Sequence, residues 1–286
     1  MNQHTKPLTQ ATRGLAIALT SLLLAPGVGA QTLNDTADAD GVRVAFFNYA
    51  PFAYVADDGS VIGTDVEILE AVLGQMGIEL ASAVATDWGA LIPGLQAGRY
   101  DVVAAGMFVT PSRCAEVAFS EPTFGIRATL VVPAGNPSEI TLYEDILEQG
   151  ATLAAVSGTA QVAAALELGI ARDNIQEYPD APTALAAVRA GRADAFGVDA
   201  PSARQIIANQ PGDDFEMVEP FAEIGGQSAV DHGAFAFRQE DQAFVDRFNA
   251  IMQEFIGGAD YVSINEAHGM TADEAPVLSV SDLCGA

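Results

Sequence analysis

Apolar and polar positions alternate along the chain in two different rhythms. Short, mostly apolar runs, such as 42–47 and 152–156, have the length and composition of buried strands. Between such runs, segments such as 65–75 and 241–255 repeat apolar residues every three or four positions, as amphipathic helices do. Strands that alternate with helices are typical of α/β architecture. We therefore predict an α/β fold with helices packed on mainly parallel sheets.

The pattern restarts partway along the chain, which predicts two lobes. The segment LQAGRYDVVAAG at 95–106 resembles VRAGRADAFGVD at 188–199, since each reads as a helix end, a turn, an aspartate and a short buried strand. Gly98 and Gly191 are expected to end these helices in the left-handed conformation that glycine adopts readily. The second block begins near residue 135, and the two related blocks predict a bilobal protein.

Two extended stretches punctuated by Gly and Pro flank the second block, at 128–137 and 225–237. If both cross between the lobes, the chain leaves lobe 1, builds lobe 2 and returns. We therefore predict a discontinuous lobe 1, residues 41–132 plus 231–286, and a lobe 2 of residues 133–230, joined by a two-strand hinge. A cleft between hinged lobes is a favourable place for a small ligand.

The first residues of the chain read as an export signal. Residues 1–30 carry Lys6 and Arg13, then an apolar run that is too short to span a membrane and closes on Val-Gly-Ala. This is the pattern of a cleaved secretory signal peptide, and it predicts an exported, periplasmic protein. Residues 31–40 are polar and are predicted to be disordered.

The charge narrows the possible partners. The sequence has 12 Lys and Arg residues against 38 Asp and Glu residues, and the predicted leader takes two of the basic ones. Such acidity disfavours nucleic acid and anionic membrane surfaces as partners. The three histidines, His4, His232 and His268, are scattered and there is no Cys/His cluster, so neither a metal site nor a cofactor is expected.

Aromatic residues follow the first two predicted strands, at the carboxyl ends where α/β sheets bind ligands. Tyr49 and Phe52 flank Pro51, and Trp88 heads the helix that follows the second strand. We predict that these aromatic side chains contact the ligand. The alternative is that they cover the hydrophobic core.

After the third strand the chain reads AAGMFVTPSRC at 104–114, with an arginine in the first turn of a predicted helix. Thr110 suits the N-cap and Pro111 the first helical position. The cation of Arg113 there meets the positive end of the helix dipole, which costs about 0.3–1 kcal/mol. A carboxylate would satisfy both the free N–H groups and the planar guanidinium. We predict that Arg113 anchors a ligand carboxylate; a surface ion pair with one of the many acids is the alternative.

Polar residues also end two strands of the second block. Ser157 and Thr159 lie in VSGTAQ, where a strand gives way to a helix, and Asp199 ends a later strand before a helix that starts with proline. These groups either cap their helices or bind the ligand from across the cleft, with Asp199 receiving a ligand cation.

Cys114 and Cys284 are the two cysteines of the chain. Disulfides persist in exported proteins, so one bridge that ties the C-terminus to lobe 1 is expected, and two unpaired thiols are the alternative. No GxSxG or HExxH motif and no Cys/His pair near a strand end is present, so no catalytic activity is predicted.

The segments DWGALIPGLQAGRYDVVAAGM and TPSRCAEVAFSEPTF resemble family 3 solute-binding proteins, which serve ABC importers for polar amino acids and related solutes. The resemblance implies two α/β lobes that close around one solute, with Thr110 and Arg113 holding its carboxylate. Phe108 stands where most members have Ser or Thr. In this respect the chain is similar to the ectoine- and hydroxyectoine-binding members, whose aromatic residues matching Phe52, Trp88 and Phe108 enclose a cationic ring.

One departure from those members concerns the ligand's cation. They carry a glutamate two residues before the proline, where this chain has Tyr49. Asp199 is a candidate for the missing charge, although it also matches the position that holds an α-amino group in amino-acid-binding relatives.

The expected protein is therefore a monomeric binding component that captures a small zwitterion, ectoine or hydroxyectoine, and delivers it to ABC permease subunits. A polar amino acid is the alternative ligand. A periplasmic dehydratase on the same fold and a detached sensor domain are the rival functions.

Overall fold

A computed structural model describes residues 1–2, 32–210 and 212–285. Apart from its first two residues, the predicted leader lies outside them. The strands are β1 (Val42–Phe46), β2 (Tyr54–Val55), β3 (Val61–Ile62), β4 (Leu80–Ala85), β5 (Val102–Val103), β6 (Ala118–Phe119), β7 (Phe124–Pro133), β8 (Leu153–Val156), β9 (Ile175–Tyr178), β10 (Ala195–Asp199), β11 (Phe215–Met217), β12 (Glu223–Ile224), β13 (Gln227–Ser228), β14 (Val230–Gly233) and β15 (Ala236–Phe237). The helices are α1 (Leu33–Asp40), α2 (Thr64–Gln75), α3 (Leu91–Gln96), α4 (Pro111–Cys114), α5 (Tyr143–Gln149), α6 (Ala160–Leu168), α7 (Ala181–Arg189), α8 (Ala200–Ala208), α9 (Gln242–Phe255), α10 (Ala259–Ala267) and α11 (Val280–Cys284), with 3-10 turns at Trp88–Ala90, Arg172–Asn174, Gln239–Asp241 and Ala272–Glu274.

The first sheet has the strand order β4-β1-β5-β15-β6. β1 lies parallel to β4 and β5, whereas β15 returns from late in the chain and pairs antiparallel with β5 and β6. Helices α2 and α9 bury their apolar stripes against it, with Phe244 and Phe248 of α9 fully enclosed. The helix that the apolar spacing predicted over 241–255 is thus confirmed.

The second sheet has the order β11-β7-β10-β8-β9. β8 is parallel to β9 and β10, and β7 runs antiparallel to β10 and β11. Two sheets that each carry their own helices confirm the α/β fold with two lobes. The inner strands β8 and β10 of the second sheet are short and wholly buried, as their apolar sequences predict.

Two antiparallel strands connect the sheets, as the predicted two-strand hinge requires. The first half of β7 pairs with β14, and its second half joins β10 and β11 in the second sheet. The hinge is thus a two-stranded ribbon, below called the hinge ribbon. The predicted lobe 1 ends at residue 132, yet β7 pairs within the second sheet from Ala128 onward. We propose that lobe 2 begins within β7.

The two glycines of the internal repeat end their helices as predicted. Gly98, with φ of 68°, follows α3, and Gly191, with φ of 65°, follows α7. Each helix is followed by an inner strand, β5 in the first sheet and β10 in the second. The repeat in the sequence therefore marks equivalent places in the two lobes.

The prediction of disorder over 31–40 is wrong from Leu33 onward, because α1 occupies Leu33–Asp40. Leu33 and Ala37, four positions apart, are buried against the first sheet's core. The Leu33 amide donates a 2.6 Å hydrogen bond to the buried carboxylate of Asp241. The burial of these two side chains and one long-range hydrogen bond hold α1 in place, although the polar composition of the segment indicated no structure.

Cys114 and Cys284 form a disulfide, with a Cα–Cα distance of 5.8 Å. The bridge joins α4 of the first lobe to α11 at the C-terminus. It is the connection that the sequence analysis expected for an exported chain.

Replacing both cysteines with serine is expected to lower the free energy of unfolding by about 2 kcal/mol. The bridge closes a loop between residues separated by 170 positions, which restricts the unfolded chain, but it holds only a short terminal helix in the folded one. Urea unfolding measures the change. A reducing agent should destabilise the unmodified protein equally and leave the double variant unaffected; a double variant as stable as the parent would contradict this.

Candidate functional site

A cavity lies where the carboxyl ends of strands from the two sheets meet. Phe47 follows β1, Trp88 follows β4 and Gly106 follows β5, while Val156 ends β8 and Asp199 ends β10, and all five line the cavity. The carboxyl edge of an open α/β sheet is where ligands bind in such folds. Of the predicted site residues, those that line the cavity are Tyr49, Trp88, Phe108, Arg113, Thr159 and Asp199.

Arg113 is positioned by a single-turn helix. The Thr110 hydroxyl accepts a hydrogen bond from the Arg113 amide at 3.3 Å, and Pro111 takes the first helical position, as predicted. Because α4 has only four residues, its dipole contributes little, and the guanidinium is the main positive group at this end of the cavity. Thr110 itself does not line the cavity, and its hydroxyl serves as the cap.

The guanidinium of Arg113 is held in place with spare donors. Nη1 donates to the Phe108 carbonyl at 2.8 Å, and Nη2 to the Gly158 carbonyl at 3.3 Å. Its carbon lies 5.4 Å from the centre of the Trp88 ring, within cation–π range. Burial lowers the pKa of Arg113, an effect that Asp231 and Glu116 oppose. A half-buried guanidinium with five N–H groups, two of them bonded within the described chain, is well suited to bind an anion.

Aromatic rings form much of the remaining wall. Phe47 meets Trp88 edge-on at 5.8 Å and lies 6.0 Å from Tyr49, and Phe196 enters from the second sheet. Phe47 and Phe196 were not predicted as site residues. Phe47 belongs to an apolar run that reads only as a strand, so the sequence offered no local signal for its contact with the cavity.

Phe52 lies beneath the cavity rather than in its wall. Its ring is fully buried, stacks on Tyr49 at 5.9 Å and packs on Phe124 at 4.7 Å. Gly106 covers it, since a Cβ there would approach the ring to 2.6 Å. The predicted ligand contact of Phe52 is therefore replaced by the alternative, a core position that supports Tyr49 and Gly106.

Asp199 caps a helix and also reaches across the cleft. Its Oδ1 accepts from the Ser202 amide at 2.9 Å, at the start of α8, and its Oδ2 accepts from the Tyr49 hydroxyl at 2.7 Å. Burial raises the pKa of Asp199. Burial also raises the pKa of Tyr49 well above its usual value, and the nearby Asp199 charge adds to this. Both carboxylate oxygens of Asp199 therefore already have partners.

Ser157 and Thr159, predicted together, are placed differently. The Ser157 hydroxyl donates to Glu177 Oε2 at 2.6 Å, on the exposed side of the turn, and does not line the cavity. Thr159 lines the cavity, but its hydroxyl donates to the Val156 carbonyl at 2.7 Å. The turn contributes a carbonyl instead: the Gly158 oxygen accepts from Trp88 Nε1 at 3.0 Å and from Arg113.

Asp231 is a charged residue near the site that the sequence analysis did not single out. It lies on β14 of the hinge ribbon. Burial and the nearby charge of Asp199 raise its pKa to about 7, and Arg113 opposes this rise. An acid that stands, beside His232, within the mostly apolar stretch 229–237 was the signal that could have identified it.

Among the residues that the structure describes, no group of three or more His, Cys, Asp or Glu side chains is arranged to hold a metal ion. No helix in 32–210 or 212–285 is long and apolar enough to cross a membrane.

Two known proteins are similar to this chain in sequence over most of its length. A protein of Sinorhizobium fredii (strain NBRC 101917 / NGR234), named "Probable amino-acid ABC transporter periplasmic-binding protein y4tE", is 35% identical over 94% of this chain and 91% of its own length. The lysine/arginine/ornithine-binding periplasmic protein of Escherichia coli (strain K12) is 28% identical over 72% of this chain and 78% of its own.

A solved structure extends the comparison. EhuB in complex with hydroxyectoine superposes with a TM-score of 0.76 at 32% identity, covering 85% of this chain and 93% of that one. The family model for bacterial extracellular solute-binding proteins, family 3, matches residues 42–270, which include both sheets and the cavity. The chain therefore belongs to family 3 of the bacterial extracellular solute-binding proteins.

Proposed function

We propose that this protein captures a small zwitterion, ectoine or hydroxyectoine, in the periplasm and delivers it to the permease of an ABC importer. The chain is a binding protein of a transport family rather than an enzyme. The observation that carries the proposal is the guanidinium of Arg113, which lies 5.4 Å from the centre of the Trp88 ring, has N–H groups without a partner among the described residues and lines a cavity walled by aromatic rings.

Two kinds of contact would select such a ligand. The planar fork of Arg113 suits a carboxylate, which accepts two parallel hydrogen bonds from it. The faces of Phe47, Tyr49, Trp88 and Phe108 suit a compact delocalised cation, because each well-placed cation–π contact is worth about 0.5–2 kcal/mol. EhuB, the structural relative with hydroxyectoine bound, supports this choice of solute.

Hinge closure is the proposed mechanism. Arg113, Trp88 and Tyr49 come from the first sheet's side, and Gly158 and Asp199 from the second. A ligand between them adds contacts to both sides and shifts the population towards the closed state, which the permease subunits then recognise. We propose that the protein acts as a monomer.

A polar amino acid is the second candidate ligand. Asp199 ends β10 inside the cavity and could receive an α-amino group if Tyr49 released it. The relatives named for amino acids, such as the lysine/arginine/ornithine-binding protein, support this alternative.

Titration calorimetry with ectoine, hydroxyectoine, glycine betaine and the polar amino acids separates the candidates. We expect the tightest binding for ectoine or hydroxyectoine, because both combine a carboxylate with a ring cation. Binding of amino acids alone would overturn the choice of solute and leave the carboxylate site standing. If no zwitterion binds, the proposed function is wrong.

A further inference from the structure

Asp231 lies on the face of the hinge ribbon that looks towards the cavity. In an antiparallel pair, opposite residues project from the same face, and Asp231 is opposite Ile126 as Gly233 is opposite Phe124. Phe124 and Ile126 pack in one cluster with Phe108, which lines the cavity. The side chain of Asp231 therefore shares this face.

The opposite face of the ribbon belongs to another part of the molecule. His232 is opposite Gly125, and Val230 is opposite Arg127. Gly125, Arg127 and Val230 line a separate recess behind the ribbon, against residues 271–277. The charges of Arg127 and His232 are thus turned away from Asp231.

The charged and titratable groups around Asp231 come from four elements. Burial and Asp199 at the end of β10 raise its pKa, whereas Arg113 of α4 lowers it. Tyr143 of α5 is buried, and its pKa is raised by burial and further by the Asp231 charge. Glu167 of α6 lines the same groove as Asp231. Arg113 is the one cation among these neighbours.

The carboxylates of Asp231 and Asp199 differ in their hydrogen bonds. Asp199 has a partner on each oxygen, the Ser202 amide and the Tyr49 hydroxyl. Within the described residues no hydrogen bond reaches the Asp231 carboxylate, which opens into the groove beside α6. Asp231 lines this groove rather than the main cavity, and Ala160, the first residue of α6, forms part of the wall of both.

The distance between Asp231 and Arg113 is set by backbone pairing rather than by lobe closure. The Val109 amide donates to the His232 carbonyl at 2.8 Å, and the Ala234 amide donates to the Met107 carbonyl at 3.0 Å. Phe108 forms a bridge with Gly233 between these two bonds. The strand that carries the acid and the segment that leads to the arginine therefore move as one piece.

We propose that Asp231 is the counter-ion for the cationic group of the ligand, so that Asp231 and Arg113 together select compact zwitterions. This inference rests on the proposed function, because it assumes that Arg113 takes the carboxylate. Asp231 receives the positive charge that Asp199, already bonded twice, is not free to take. The ligand then meets one cation and one anion held on a single rigid unit.

A proton is released when such a ligand binds. With a pKa of about 7, Asp231 is half protonated at neutral pH before the ligand arrives. The ligand's cation favours the ionised carboxylate, and the displaced proton goes to solvent. Affinity should therefore be about tenfold lower at pH 6 than at pH 8, and should level off above pH 8.

The test compares Asp231→Asn with the parent protein, using hydroxyectoine or the tightest binder of the calorimetry panel. The variant should bind at least tenfold more weakly at pH 8 and lose the dependence on pH between 6 and 8. Calorimetry in buffers of different ionisation enthalpy should show proton release from the parent protein and none from the variant.

Two controls make the result decisive. Glu167→Gln removes the same charge from the same groove and should bind as the parent does, which separates a direct counter-ion from a general charge effect. The melting temperature of unliganded Asp231→Asn at pH 8 should equal or exceed that of the parent, because a carboxylate whose pKa is raised by folding destabilises the fold once it is ionised.

Different outcomes point to different failures. If Asp231→Asn keeps the parent's affinity and pH dependence while Arg113 variants lose binding, the counter-ion inference is wrong and the proposed function stands. An equal loss in Glu167→Gln also overturns it. If the parent protein binds none of the panel's zwitterions, both the inference and the proposed function fail.

Discussion

Replacing Arg113 with alanine is expected to weaken the binding of a carboxylate ligand by about 100-fold. Removing one partner of a buried, hydrogen-bonded charge pair costs about 2–5 kcal/mol, much of it because the other charge is left unpaired. The guanidinium is half-buried beside Trp88 and keeps donors for the ligand, so the loss should fall at the lower end of this range. Titration calorimetry at pH 8 measures it directly.

Two further variants make this result specific. Arg113→Lys keeps the charge but removes the planar fork, and should recover only part of the lost affinity. Arg99→Ala removes an exposed arginine from the same lobe and should leave the affinity unchanged. Because Arg113→Ala removes hydrogen bonds to the Phe108 and Gly158 carbonyls, its melting temperature should fall slightly, while the variant stays folded. Parent-like affinity in this variant would refute the carboxylate site.

Replacing Gly106 with alanine is expected to lower the free energy of unfolding by about 3 kcal/mol or more. Its φ of 64° strains any residue with a Cβ, which costs about 1–2 kcal/mol. The added methyl would also lie 2.6 Å from the Phe52 ring, and overpacking of this kind costs about 1–3 kcal/mol. The backbone has no room to shift, because the Gly106 amide donates to the buried Asp65 carboxylate at 2.7 Å.

Gly98→Ala is the matched control for this change. Gly98 has nearly the same φ, 68°, but an added Cβ there would have nothing within 4 Å. Urea unfolding of both variants should show a larger loss for Gly106→Ala, and the difference measures the clash with Phe52 alone. Equal losses would show that strain in the backbone accounts for everything. Ligand affinity should fall with Gly106→Ala only, since Phe52 supports Tyr49 in the cavity wall.

Much of the fold follows from local patterns in the chain. The alternating rhythms predict an α/β protein, and the repeated Ala-Gly-Arg turn predicts two related lobes, both of which the sheets confirm. Arg113 and Trp88 could be singled out because each follows a predicted strand and lies at the start of a predicted helix. Helix α1 was missed, because its two buried contacts are made with distant residues rather than with neighbours in sequence.

Side-chain direction was the main quantity that local patterns did not determine. Phe46 and Phe47 are adjacent, yet Phe46 packs with Ala53 and Val66, while Phe47 meets Trp88 in the cavity wall. Successive residues of a strand face opposite sides, and a shift of one position exchanges them. The sequence shows an aromatic pair but not which member faces the ligand.

The sequence by itself determined the classes of element, the strand ends where a ligand site forms, and the arginine suited to an anion. Only the tertiary structure decided which groups complete the site. Phe52 supports Tyr49 from below instead of lining the cavity, because Gly106 covers its ring. Asp199 accepts hydrogen bonds from Tyr49 and from Ser202, which lie in different segments of the chain. The pairing of residues 107–109 with β14 and Ala234 fixed the strand that carries Asp231 against the segment that leads to Arg113. Such contacts join residues far apart in the chain, and their register depends on the packing of the whole fold.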